Sequence, residues 1–266
     1  MKHLKKLMAL TLMLGVVMTA TACGSKAPDQ AKPTGEQPAE KPAATEKYLI
    51  ATDTTFAPFE FEDKDGNFIG IDMDILKAIS EDQGFEYEVQ ILGFNAAVQA
   101  LESKQVDGVI AGMSITDERK AKFDFSEPYF DSGVVMGVKA DDATTKGYSD
   151  LKGKKVAVKT GTEGATFAES IKAEYGFETV YFEDSSSVYE DVKAGNSIAC
   201  FEDYPTLGYA ITQNVGLKTV TEKEQGSSYG FAVGKGLTPE LLEKFNKGLA
   251  NIKESGKYQE ILDKYI

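Results

Sequence analysis

Histidine is nearly absent from this sequence: the 266 residues contain one, His3, beside the N-terminus. Residues 1–22 have the make-up of a cleaved leader, so the exported chain is expected to carry no histidine. Histidine acid–base catalysis, Ser-His-Asp triads and His-ligated zinc then drop out. Cysteine is almost as scarce, with Cys23 and Cys200 the two present. With Cys23 modified, no disulfide framework and no Cys–His pair can form. Cys200 sits in the apolar run Ile198–Phe201 and reads as a buried, inert thiol. Positive charge is in deficit, 29 Lys and Arg against 42 Asp and Glu, a net charge of −13. Without a basic stripe, such a chain is repelled by nucleic acid and by anionic membrane surfaces. What remains is ordinary for a globular protein, 42% apolar and 27% charged. Its length suits one large domain or two small ones.

The leader is legible in its order of residue types. Lys2, Lys5 and Lys6 precede the apolar run Leu7–Met18, and small residues, Thr19–Ala22, lead to Cys23. That order describes a secretory signal. The run is shorter than the roughly 20 apolar residues a membrane-spanning helix needs. A cysteine directly after small residues resembles a bacterial lipobox, although Ala20 stands where Leu is commonest. We expect a lipoprotein signal peptide over 1–22 and lipidation at Cys23, which anchors the exported chain to the outer face of the cytoplasmic membrane. Residues 23–46 are rich in Pro, Ala, Lys, Glu, Gln and Thr without apolar periodicity, the composition of a disordered tether. At about 3.1 Å per residue it would reach on the order of 70 Å.

From Tyr48 onward, strand and helix patterns alternate. Tyr48–Ala51 is a short apolar run ending in Thr52-Asp53-Thr54. Asp65-Gly66 marks a hairpin turn between Phe59–Phe61 and Phe68–Gly70. Ile71, Ile75, Leu76 and Ile79 recur at helical spacing, and Gly84 closes that helix. Tyr87–Ile91 alternates as a strand, Ala96–Ser103 reads as a helix and Val109–Ala111 as a buried strand. Further on, Val134–Val138, Lys155–Val158, Ser197–Phe201 and Tyr229–Val233 read as strands. Ala165–Tyr175, Val188–Ala194 and Tyr204–Thr212 read as helices, the second with Ser185–Ser187 as N-cap candidates. One long helix ends the chain, with Leu242, Phe245, Leu249 and Ile252 on one face, then Tyr258, Ile261 and Tyr265. Alternating elements of this kind argue for α/β architecture in two small lobes.

Ligands of such folds bind beyond the carboxyl ends of strands. Four strand ends here carry unusual residues. The first ends at Asp53, with Phe56 close behind. The stretch after Val109–Ala111 supplies Gly112, Ser114, Thr116 and Arg119. Lys159–Gly164 lies between a strand and a helix but lacks the phosphate-loop pattern, so ATP binding is not indicated. Phe201–Pro205 contributes Glu202 and Asp203. Together they hold what a zwitterion needs. A guanidinium fork grips a carboxylate, while carboxylates, hydroxyls and carbonyls receive an ammonium. Aromatic faces pack the aliphatic carbons.

At these residues the sequence resembles the bacterial extracellular solute-binding proteins that serve polar amino acid ABC importers, and within them the glutamine-binding members. The resemblance spans nearly all of 47–266. It is carried by A-T-D-T-T-F-A-P-F-E-F (51–61), G-I-D-M-D-I (70–75), A-G-M-S-I-T-D-E-R-K (111–120), D-F-S-E-P-Y-F (124–130) and V-A-V-K-T-G-T (156–162). It implies a two-lobed periplasmic-binding-protein-like fold of type II with two hinge crossovers. Lobe 1 would be 47–128 plus 230–266, the hinge 129–133 and 225–229, and lobe 2 134–224. It also implies residue roles. Arg119 would bind the ligand α-carboxylate, helped by Ser114 and the Thr162 N–H. Asp203 would take the α-ammonium with the Gly112 carbonyl and the Ser114 hydroxyl. Phe56 and Phe94 would sandwich the side chain, and Asp53 and Lys159 would address its end. An amide has a donor end for Asp53 and an acceptor end for Lys159, which favours glutamine. Two departures, Glu202 where such binders can carry His and Glu163 where they can carry Gly, add negative charge and leave room for arginine or lysine. Glutamate is a further alternative. No metal or cofactor is expected. The partners are an amino acid, the permease and ATPase subunits of an importer, and the membrane through the lipid alone, with the chain a monomer. Two other readings stand beside this one. One is a same-fold enzyme such as a cyclohexadienyl dehydratase, with Glu202 or Asp53 as general acid. The other is an amino-acid sensor module.

Overall fold

The structure, a computed structural model, describes residues 47–266. The expected signal peptide, Cys23 and tether lie outside the described residues. Among the described residues, a first sheet has the order Glu86–Ile91, Lys47–Thr52, Gly108–Val109, Ala232–Gly234, Phe123–Phe125. Lys47–Thr52 runs parallel to both its neighbours, whereas Ala232–Gly234 is antiparallel to its own. A second sheet has the order Glu178–Phe182, Lys155–Lys159, Ala199–Asp203, Phe130–Lys139, Leu217–Thr219, and Glu224–Tyr229 also pairs with Phe130–Lys139. Helices cover both sheets, giving a mixed α/β, two-lobed fold of the periplasmic-binding-protein type. The first sheet draws its strands from 47–125 and 232–234, the second from 130–229. The chain therefore passes between them twice. Both passages adjoin one antiparallel ribbon in which Tyr229 lies opposite Phe130 and Ser227 opposite Ser132.

Apolar periodicity explains most of the helices. Ile71, Ile75, Leu76 and Ile79 are buried on one face of the helix Ile71–Gln83, which Gly84 ends in the left-handed conformation. That face packs with Phe245, Leu249 and Phe231, and the Phe231 and Phe245 rings stack 4.5 Å apart. The second core lies around Met136, Val156, Val158, Phe167 and Phe201. Cys200 is buried and free, and burial pushes its thiol pKa up, as suits an inert residue.

Several local expectations need correction. The C-terminal helix is two helices, Pro239–Glu254 and Lys257–Tyr265, because Gly256 takes a left-handed conformation between them. Leu241, rather than Leu242, is the fully buried position in its first turns. The helix Ser185–Ala194 is capped by Asp184, whose carboxylate accepts from the Ser187 N–H at 2.7 Å; a carboxylate also suits the positive end of the helix dipole. Tyr229–Val233 is broken at Gly230-Phe231 into the ends of two strands belonging to different sheets. The buried strand after residue 107 is limited to Gly108–Val109.

Gly70 precedes the helix Ile71–Gln83 at φ 145°, ψ 173°, and a Cβ there would lie 2.0 Å from the Phe59 carbonyl oxygen. That backbone region is essentially glycine's alone, and strain of this sort costs on the order of 1–3 kcal/mol before the clash is counted. Gly70→Ala is expected to lower the thermal midpoint by about 6 °C or more, at roughly 2–4 °C per kcal/mol for a chain of this size. A midpoint within a degree of the parent would contradict that assignment.

Candidate functional site

The strand ends converge. Lys47–Thr52 delivers Asp53, Gly108–Val109 leads into Ala111, Gly112 and Ser114, Lys155–Lys159 ends on Lys159, and Ala199–Asp203 ends on Asp203. Around one small, nearly filled cavity stand Phe56, Phe94, Ala111, Gly112, Ser114, Arg119, Lys159, Thr162, Glu163 and Asp203. Of the residues expected at the site, Asp53 and Glu202 do not line it. A larger open groove runs beside the ribbon past Lys120, Asp131, Lys223 and Ser227, but none of Asp53, Arg119, Lys159, Glu202 and Asp203 lines it.

Arg119 projects from a short helix, Asp117–Lys122, that Thr116 caps by accepting from the Arg119 N–H. Its guanidinium donates to the Ser114 and Gly161 carbonyls, each at 2.9 Å, and sits 3.7 Å from a Glu163 carboxylate oxygen. Its Cζ lies 5.2 Å from the centre of the Phe94 ring. The fork therefore already spans the lobes, from Ser114 on one to Gly161 on the other.

Lys159 is buried at 1% exposure and forms an ion pair with Asp53, itself fully buried. The lysine ammonium also lies 5.1 Å over the Phe56 ring. The other Asp53 oxygen accepts from the Thr54 N–H at 2.6 Å and the Phe94 N–H at 3.2 Å. This changes the expected arrangement. Asp53 stands behind Lys159 as its counter-ion rather than beside it as a second reader of the ligand. The same two lobes also meet where the Ser185 N–H donates to Thr55 Oγ1 and where the Phe61 and Tyr209 rings lie 6.0 Å apart.

Asp203 accepts from the Tyr229 hydroxyl at 2.6 Å, and Tyr229 in turn accepts from Ser132 Oγ. Burial, with Glu202 next to it, raises the Asp203 pKa to about 7. Gly112 has φ 52°, and a Cβ would strike the Phe56 ring at 2.3 Å, so glycine is what lets backbone approach the cavity. Ser114 is buried and accepts from Ser227 Oγ at 3.3 Å. Thr162 caps the helix Glu163–Tyr175. Its N–H, expected to face a carboxylate, closes a loose 3.4 Å turn bond onto the Lys159 carbonyl.

Glu202 corrects the sequence expectation most clearly. Its carboxylate accepts from the Asp203 N–H at 3.0 Å and from Tyr189 Oη at 3.4 Å, away from the cavity. Burial raises its pKa, so the charge it was expected to add is weakened as well as screened. Glu163 does reach the cavity wall. Ala111 and Tyr229 were not anticipated. Ala111 carried no chemical signal, and Tyr229 looked like one more aromatic in an apolar strand.

A two-lobed α/β protein with a polar, charge-lined cavity between its strand ends has the architecture that solute-binding proteins share. The chain belongs to the bacterial extracellular solute-binding proteins, family 3, whose model matches residues 48–266. It is similar to the arginine-binding extracellular protein ArtP of Bacillus subtilis, 30% identical over 99% of this chain and 98% of that one. Among solved structures, an ancestral arginine-binding protein is 38% identical and covers 83% of this chain, with TM-scores of 0.77 bound to arginine and 0.76 bound to glutamine, over 98% and 97% of those chains. The second substrate-binding domain of Lactococcus lactis GlnP, in open conformation, is 41% identical over 83% of this chain and 95% of that one, at a TM-score of 0.59. Among the described residues, no helix is long and apolar enough to cross a membrane.

Proposed function

We propose that the protein is the exported receptor of an ABC importer, capturing a polar L-amino acid by closing its two lobes, with glutamine the preferred ligand. The observation that carries this reading is the cavity wall itself, which holds Arg119, Asp203 and a Lys159 already neutralised by Asp53. The first two suit a carboxylate and an ammonium. A lysine paired to its own carboxylate offers donor hydrogens without net charge, which suits an amide carbonyl and opposes a guanidinium. Lys159–Asp53 and Arg119–Gly161 bridge the lobes, so closure and ligand reading share residues. The higher TM-score to ligand-bound structures than to an open one of greater identity supports a closed arrangement. Lobe limits at 47–128 plus 230–266 and 134–224, lipidation at Cys23 and a monomeric state complete the proposal. The dehydratase alternative loses support, because neither of its candidate acids, Asp53 and Glu202, lines the cavity.

Arginine is the second reading, favoured by Glu163 in the wall and by the arginine-binding relatives. Isothermal titration of the protein against the twenty amino acids separates the two. Glutamine is expected to bind at least about ten-fold more tightly than arginine, roughly 1.4 kcal/mol. The reverse order would overturn the amide reading, and no ligand tighter than roughly millimolar would overturn amino-acid capture.

A further inference from the structure

Behind the cavity wall lies a second pair of acids that none of the roles above employs. Glu60, on the strand Glu60–Glu62, and Asp72, in the first turn of the helix Ile71–Gln83, are both fully buried. One Asp72 oxygen is fully employed. It accepts from the Gly112 N–H at 2.8 Å and from the Tyr129 hydroxyl at 2.8 Å. The other Asp72 oxygen and both Glu60 oxygens receive no donor from any protein group. The backbone brings the two acids together, the Asp72 N–H donating at 2.9 Å to the carbonyl of Phe59, the residue before Glu60, and each carboxyl acts on the other's protonation.

Three buried carboxyl oxygens without donors are not a stable arrangement of two anions. Buried polar groups are paired, and adjacent buried carboxylates cannot both ionise. A water, a metal ion or a proton can supply the missing donor, but a water leaves two anions side by side. Among the described residues no acidic, histidine or cysteine cluster is arranged to hold a metal. A proton on Glu60 directed at the free Asp72 oxygen satisfies both groups with one charge.

We propose that Glu60 and Asp72 share one proton as a buried acid–carboxylate pair, and that this pair positions Gly112 in the cavity wall and Tyr129 at the lobe crossing. Burial and the neighbouring Asp72 push the Glu60 pKa well up, and the same burial raises Asp72 to about 6, in agreement with one proton between them at neutral pH. The charged and titratable groups facing the pair are Asp53 and Lys159 toward the cavity, and Tyr129 and Tyr258 on the crossing side. Tyr258 also donates to the Tyr129 carbonyl, so Asp72 and Tyr258 hold that residue at both its polar ends. Loss of the shared proton would leave two adjacent anions that must separate. Asp72 would carry Gly112 and Tyr129 with it, loosening the wall where the ligand ammonium is expected. Glu60 and Asp72 are thus positioning residues that act through Gly112 and Tyr129.

The affinity part of this inference rests on the proposed amino-acid capture; the proton itself does not. The test therefore starts without ligand. Infrared difference spectra of the full chain at pH 8, where solvated carboxyls are ionised, should show a protonated carboxyl band that disappears in Glu60→Gln and survives in Glu202→Gln. No such band in the parent protein, or one unaffected by Glu60→Gln, overturns the shared proton. Glutamine affinity is then followed with pH. In the parent it should fall as the band disappears. In Glu60→Gln, whose amide donates permanently, that alkaline fall should be absent and affinity at pH 7 should stay within about three-fold, whereas Glu60→Ala should lose about ten-fold, or roughly 1.4 kcal/mol. Asp203 titrates alike in all three proteins and cancels in the comparison. An alkaline fall unchanged in Glu60→Gln, or equal losses in Glu60→Gln and Glu60→Ala, overturns the positioning role. Failure of all three to bind any amino acid while the band behaves as expected would sink the capture reading and leave the acid pair standing.

Discussion

Arg119→Ala is expected to weaken binding of every amino acid by about a hundred-fold or more, irrespective of side chain. In the proposed function the guanidinium takes the ligand carboxylate, since Lys159, the other cation of the cavity wall, is paired with Asp53. Truncating one partner of a desolvated charge pair costs on the order of 2–5 kcal/mol, much of it the penalty on the charge left behind. Here two further acids, Glu163 and Asp203, lie near the vacated position and would repel the ligand carboxylate. The fold should hardly notice. The Arg119 donors go to the Ser114 and Gly161 carbonyls, both at loops rather than in a sheet ladder. Titration against the amino-acid panel measures the effect, with the unliganded thermal midpoint as control. An amino acid that still binds with parental affinity would show that its carboxylate is held elsewhere.

The Asp53–Lys159 pair leads to the second large effect, and to an asymmetric one. Asp53→Ala leaves a buried ammonium without its ion-pair partner, with the Phe56 ring and the Glu202 carboxyl as its remaining favourable neighbours. Breaking a buried pair from one side costs about 3–5 kcal/mol. The two residues stand on opposite lobes, so opening the lobes lets Lys159 regain water. The cost then falls on closure and on affinity rather than on folding, and glutamine binding should drop by about a hundred-fold with the thermal midpoint nearly unchanged. Lys159→Met should behave differently. Asp53 keeps the Thr54 and Phe94 N–H donors, so its charge stays partly satisfied, but it is now unbalanced toward the cavity. Glutamine should weaken and arginine should strengthen, inverting the preference. Joining Lys159→Met to Asp53→Asn removes both charges and should recover most of the closure. Equal losses for all ligands in Lys159→Met would end its role in reading the side chain.

Much of the fold was legible because its signals are local. Helical spacing of Ile71, Ile75, Leu76 and Ile79 with Gly84 after them, the Asp65-Gly66 hairpin, and strand–helix alternation all survive in the structure. The failures share a cause. A cap at Asp184 rather than at the three serines, and a break at Gly256 in an otherwise periodic helix, depend on which competing local option the packed neighbours favour.

The sequence by itself determined the class of chemistry. Strand ends bearing Asp53, Gly112, Arg119, Lys159 and Asp203, with no histidine after residue 3, leave a zwitterion-binding cleft as the economical use of those residues. The tertiary structure alone decided how the charges are shared out. It turned Asp53 into the counter-ion of Lys159, withdrew Glu202 from the cavity, brought Glu163 to Arg119, and buried Glu60 against Asp72. Asp53 with Lys159 and Arg119 with Glu163 join groups far apart in the chain. Such pairings depend on burial and on the nearest opposite charge, quantities that exist only once the two lobes have folded and met.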